Sequence, residues 1–293
     1  MLKASSIGRV NSEPPITSMK ASFFQKLALG LMFSACTVSS SYAALLASDN
    51  ASDPAYNSGF TNGTNGGSGF GAWQFANTTG TTNTAFAGEF IGDSSTNGSG
   101  TSGNINSAGN KSWGLYSNTN NLADATRPFT GQLLTNEAFS LKMDNGFLNT
   151  SQSVGFGLQN SSGTNRLEFY FTGGASFYDI NVPGTGVNST NLTGNGTPFT
   201  ADGLSIKFKQ LASNGWTLDV TPNGGPLRTY SSTDFGALAA SDISQVRLFD
   251  FNPGAGGGGV DAFFNTLQIV PEPGQLLIGI LASGCFLFRR RRG

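Results

Sequence analysis

Leu204-Ser205-Ile206-Lys207-Phe208 and Trp216-Thr217-Leu218-Asp219-Val220, with Asn214-Gly215 between them, decide the fold. In both runs every second residue is large and apolar, and the residues between are polar. A strand points successive side chains to opposite faces, so Leu204, Ile206 and Phe208 meet a core while Ser205 and Lys207 meet water. Trp216, Leu218 and Val220 share one face in the same way. Asn-Gly between two such runs is the strongest tight-turn signal in the chain, and it predicts an antiparallel hairpin.

Working outward, runs of the same kind recur over Ala85 to Ile91, Phe139 to Met143, Val154 to Leu158, Leu167 to Phe171, Val246 to Phe251 and Phe263 to Ile269. Clusters of Gly, Asn, Ser and Thr separate them, and no stretch of the body holds a helical period. Roughly a dozen strands at regular spacing predict an all-β antiparallel β-sandwich, jelly-roll or lectin-like, rather than a small barrel. The Gly/Asn/Ser/Thr stretches at 57 to 69 and 92 to 110 read as long edge loops or as solvated linkers. With 41 Gly and only 11% charged residues the composition favours turns, while 24 Phe, 6 Tyr and 3 Trp supply the apolar area a packed core needs. The order of the runs, with aromatic-rich strands in the middle, resembles concanavalin A-like lectin sandwiches. That resemblance is one of architecture and carries over no binding residue.

The two ends differ from the body. Residues 19 to 43 hold Lys20 and Lys26, an apolar run Leu27 to Phe33, and Ser41-Tyr42-Ala43, the order of a secretory signal peptide cleaved after Ala43. The eighteen residues before them fit no signal segment, which places the expected translation start at Met19. Phe33-Ser34-Ala35-Cys36 also resembles a lipoprotein box, with Phe33 where Leu is usual. At the other end Val270-Pro271-Glu272-Pro273 precedes an apolar run carrying Leu276, Leu277, Ile278, Ile280, Leu281, Phe286, Leu287 and Phe288, and then Arg289, Arg290, Arg291 and Arg292. The prolines predict an extended joint, the run partitions into lipid, and the arginines stop transfer on the cytoplasmic side. Thirteen helical residues span about 20 Å against a hydrocarbon core of about 30 Å, which is short for a permanent anchor.

Triplet, apolar helix and basic stop, in that order, resemble the PEP-CTERM signal of exported bacterial proteins. The resemblance implies Sec-type export, membrane attachment through the tail, recognition by an exosortase, cleavage near Pro271-Glu272-Pro273, and release to the cell surface and its exopolysaccharide matrix. It covers under a tenth of the chain. The expected organisation is an N-terminal extension and signal peptide over 1–43, an exported domain over 44–269, and a sorting and anchor segment over 270–293.

Composition excludes several chemistries. The chain contains no histidine, so a Ser-His-Asp triad, a His-ligated zinc and a Cys-His pair are unavailable. Cys36 and Cys285 both lie in the targeting segments, which leaves no thiol in the body. Between residues 44 and 270, eight basic residues face fifteen acidic ones, a formal charge of −7 that argues against a nucleic-acid partner. A carboxylate pair of the glycosidase kind would draw on Glu89, Glu137 and Glu168, the body's only glutamates, and these show no clustering in sequence.

Asp49-Asn50 with Asp53, Asp144-Asn145-Gly146 and Asp250-Phe251-Asn252 offer oxygen ligands of the kind calcium takes, but read as turn formers without EF-hand spacing. Gly254 to Gly259 lacks the Lys and helix of a phosphate loop. Trp73, Trp113 and Trp216, with Tyr116, Tyr170 and Tyr178, suit either a sugar-stacking platform or a core, and alternation favours the core. Asn-x-Ser/Thr sequons at Asn62, Asn77, Asn188 and Asn191 permit glycan decoration. The expectation is a non-catalytic surface or matrix protein without cofactor or metal, with a carbohydrate-binding module as the alternative and a secreted glycan hydrolase as the third reading.

Overall fold

The computed structural model describes residues 45–77, 86–96, 105–186 and 196–272. Ala43, Pro273, the membrane segment from Leu276 to Phe288, Arg289 to Arg292, and both cysteines lie outside the described residues, as do the sequons at Asn188 and Asn191.

The described chain is all-β, built as two antiparallel sheets. The larger contains β1 (Ala47–Asp49), β3 (Ala87–Gly92), β4 (Ser112–Ser117), β6 (Glu137–Asn145), β10 (Leu204–Gln210), β11 (Trp216–Pro222), β12 (Arg228–Ser231) and β14 (Ala262–Pro271). Its order is β12-β11-β10-β6-β14-β4-β3, and β1 shares the β14 edge with β4. The smaller contains β2 (Gln74–Phe75), β5 (Asn121–Pro128), β7 (Ser153–Gln159), β8 (Asn165–Thr172), β9 (Asp179–Asn181) and β13 (Gln245–Asn252), in the order β2-β5-β13-β7-β8-β9. One helical turn, Ser232–Phe235, follows β12 and is closed by a capping box between Ser231 and Asp234.

The core lies between the sheets. Leu204, Ile206, Phe208, Trp216, Leu218 and Val220 are buried from the larger sheet, facing Val246, Leu248, Val154, Phe156, Leu167 and Phe169 from the smaller. The alternation read from the sequence therefore places these side chains inward; seven of the eight runs lie wholly on strands, and the run Ala85 to Ile91 lies on β3 from Ala87 onward, with Ala85 outside the described residues. The β10–β11 hairpin turns one residue earlier than expected. Ser213 and Asn214 carry the positive φ values, 56° and 58°, and Gly215 N–H donates to the Ala212 carbonyl at 3.0 Å. Asn tolerates the left-handed region through its short polar side chain, so Asn214 supplies the conformation that Gly215 was expected to share.

The last strand also runs further than the sequence suggested. β14 continues through Val270 and Pro271, which pair with Ala138 and Glu137. A proline is tolerated there because β1 pairs β14 only as far as Ile269, so the missing N–H costs no ladder bond on that side.

The segment between β1 and β2 is no solvated linker. Tyr56, Phe60 and Trp73 are buried; Tyr56 and Trp73 pack edge-on with Trp113, and Phe60 packs edge-on with Trp73. Arg127 of β5 points inward beneath them and forms a fully buried ion pair with Asp49 at 2.9 Å. Its guanidinium also donates to the carbonyls of Thr64 and Gly66 and lies over the Trp73 ring at 5.1 Å. The Tyr56 hydroxyl donates to Asp49 and accepts from Trp73 Nε1, which closes the network.

Candidate functional site: a lysine-bearing groove on the larger sheet

Strand pairing assembles the outward residues of the larger sheet into rows. Asp219 of β11 pairs with Lys207 of β10, Lys207 with Ser140 of β6, and Ser140 with Gln268 of β14. The next row runs Thr221, Ser205, Lys142. Together these form the floor of an open groove of about 400 Å³, with Leu227, 59% exposed, and Thr266 at its margins. Thr266 belongs to a β-bulge, where the β6–β14 register shifts between Asn265 and Gln268, and it holds a φ of 55°. The bulge turns Asn265 inward, where its amide donates to the carbonyls of Ile105 and Lys111 and accepts from Ala51 N–H.

Charge is unevenly distributed over this fold. Lys142, Lys207 and Lys209, three of the four lysines between residues 44 and 270, lie on the outward face of two adjacent strands. The arginines Arg127, Arg166 and Arg247 are each paired with an aspartate. An acidic body thus keeps three of its four lysines together on one face. Asp219 accepts from the Thr229 hydroxyl at 2.6 Å, which orients its carboxylate at the groove edge.

The residues of the expected sorting segment that are described sit against the same face. Val270 and Pro271 end β14, and Glu272 N–H donates to the Asn136 carbonyl at 2.9 Å. The Glu272 carboxylate takes Lys207 Nζ at 2.5 Å and lies 3.9 Å from Lys209 Nζ. The acid of the triplet is therefore held by the body rather than extended away from it.

The aromatic side chains weighed for sugar stacking are mostly interior. Trp73, Trp113 and Trp216 are fully buried and Tyr178 nearly so, while Tyr116 and Tyr170 are half-buried. The three glutamates lie on three different strands and take separate partners. Glu137 accepts Leu134 N–H, Glu168 accepts the amides of Asn165 and Asn181, and Glu89 accepts the Asn77 amide. Burial pushes the Glu89 carboxyl up to about 7, against the pull of Asn77 and with Asp124 nearby adding to the rise. Asp124 is also raised by burial, with Arg247 at 2.8 Å opposing. Asp53 caps the short turn Pro54–Tyr56 by accepting Ala55 N–H, the role expected of a turn former.

Alternation alone placed Ser205, Lys207 and Asp219 outward. Lys142, Ser140 and Gln268 carried the same signal within their own runs, but the strand order that brings them together is non-local and no short motif encodes it.

No protein-family model and no curated protein matches the chain. Among solved structures it is similar to a cellulose-induced protein, Cip1, at 9% identity over 67% of this chain and 91% of that one, with a TM-score of 0.43. It is also similar to a glycosyl hydrolase family 16 protein from Mycobacterium smegmatis, at 12% identity over 55% and 76% with a TM-score of 0.37. A third is a galectin from Caenorhabditis elegans, at 12% identity over 49% and 88% with a TM-score of 0.32.

Proposed function

We propose that this chain is an exported, exosortase-sorted surface protein whose non-catalytic β-sandwich body binds an acidic extracellular polysaccharide through the groove of the larger sheet. The observation that carries the binding reading is the row Asp219–Lys207–Ser140–Gln268 beside Lys142, on the lysine-bearing face of an otherwise acidic body. Hydroxyl, amide and carboxylate groups suit the hydroxyls of a sugar chain, and the ammonium groups suit its carboxylates or sulfates. The groove is open along its length, which suits a polymer rather than a small enclosed ligand. Sorting through the C-terminal segment is supported by the order of its parts, and delivery to a polysaccharide matrix agrees with the groove chemistry.

Affinity electrophoresis of the purified protein in gels containing acidic or neutral polysaccharide tests the binding. Retardation by the acidic polymer alone is expected, weakening as salt rises. Lys142→Ala with Lys207→Ala is expected to lower the affinity about tenfold or more, since each hydrogen bond to a charged group contributes about 1.5–3 kcal/mol. Equal retardation of the double variant, or none of the parent protein, overturns this reading. Expression with and without an exosortase tests the sorting. A mature product lacking residues 276–293 only in the presence of the enzyme is expected, and an intact tail under both conditions defeats it.

A further inference from the structure

At one end of the sandwich, beside the glycine-rich loop 254–259, the interior turns polar. β13 follows the inward Val246 and Leu248 with Asp250 and Asn252, both fully buried. Oδ1 of Asp250 accepts from Gln152 Nε2 at 3.0 Å, while Oδ2 makes no well-formed hydrogen bond. Ser117, at the end of β4, neighbours this carboxylate, and its buried hydroxyl makes no well-formed hydrogen bond either. In the turn after Ser117 and at the start of β5, the buried side-chain oxygens of Asn118 and Asn121 also lack partners. Asn121 pairs with Asn252, two residues along the same inward side from Asp250.

A second acid completes the cluster. Asp261, immediately before β14, lies close enough to raise the proton affinity of Asp250, and burial pushes its own carboxyl up to about 6. Gln152 Nε2 also donates to the Val260 carbonyl at 2.8 Å, tying the end of the loop to the same place. The loop is fitted closely here, since a Cβ on Gly256 would meet Asn118 Nδ2 at 2.7 Å. Among the described residues no lysine or arginine forms an ion pair with Asp250 or Asp261.

A buried and a half-buried carboxylate without a cation are costly, and unsatisfied buried oxygens add to the cost. All the spare capacity at this end is oxygen. We propose that it is a calcium site, with Asp250 and Asp261 supplying the charge, and Ser117 and Asn121 supplying neutral oxygens. Calcium takes six to eight oxygen ligands in flexible geometry, whereas magnesium demands a tighter octahedron, so a set drawn from three strands and a loop favours calcium. The sequence offered Asp250-Phe251-Asn252 only as a turn; the pairing of β13 with β5 is what brings other oxygens to it.

The test is thermal unfolding of the purified full-length protein in chelator and in rising calcium. With calcium about a hundredfold above the dissociation constant, the midpoint is expected to rise by roughly 5–10 °C. Asp250→Asn and Asp261→Asn are expected to remove that shift. Because Asp250→Asn also removes a buried charge, it is expected to melt no lower than the parent in chelator, which separates loss of the ion from loss of the fold. A parent midpoint indifferent to both calcium and chelator overturns the proposal, as does a full calcium shift retained by both variants.

Discussion

Arg127 shows how one residue can fix a long segment. It sits inward on a strand where alternation otherwise buries Ala123 and Ala125, and the space those small side chains leave is consistent with a guanidinium fitting beneath Trp73. Its partner Asp49 is fully buried as well, so truncating the arginine leaves an uncompensated carboxylate in the core. Arg127→Met is expected to cost roughly 3–5 kcal/mol, read by urea denaturation. Replacing Asp49 by Asn in the same molecule is expected to recover part of that loss, because the stranded charge is then gone. The sequence did not reveal this network. Asn121-Leu122-Ala123-Asp124-Ala125-Thr126-Arg127-Pro128 has inward members Asn, Ala, Ala and Arg, so its alternation is invisible to a hydrophobic pattern and the strand went unread.

Among the elements, β14 departs most from regularity. Its bulge holds Thr266 in the left-handed region, where a β-branched side chain is strained. Thr266→Asn is expected to raise stability by about 1 kcal/mol without changing the fold, and a matched pair of denaturation curves checks it. The bulge was illegible because Phe263 to Ile269 reads as one continuous strand. The hairpin β10–β11 lies at the other extreme. Its apolar period, its outward lysine and, to within one residue, its turn were legible, because everything it needs is local. The groove falls between these cases: each strand announced its outward residues, while the order β11-β10-β6-β14 depends on contacts far apart in sequence. Trp216 illustrates the same division, since alternation placed it in the core but gave no sign that its indole N–H would donate to the Gly236 carbonyl.

For the molecule as a whole, the buried acids set the response to pH. Burial raises Glu89 to about 7 and Asp261 to about 6, and holds Asp250 well above the ordinary carboxylate range. A carboxyl with a raised folded pKa binds its proton more tightly in the folded chain. Its contribution to stability is complete below the unfolded value and is lost as pH rises through the folded one. In the presence of chelator the melting temperature is therefore expected to fall between about pH 4.5 and pH 7.5, and to fall less in Glu89→Gln. A midpoint that rises over this interval contradicts the assignment. The position of β14 has a further consequence. The chain leaves the sandwich from a strand paired with β6 along one side and with β4 and β1 along the other. A pull on the chain beyond Glu272 acts along that strand and loads its flanking hydrogen bonds in shear, many at once, instead of peeling them one by one. Tension applied at Glu272 is met by the middle of the larger sheet rather than by an edge strand.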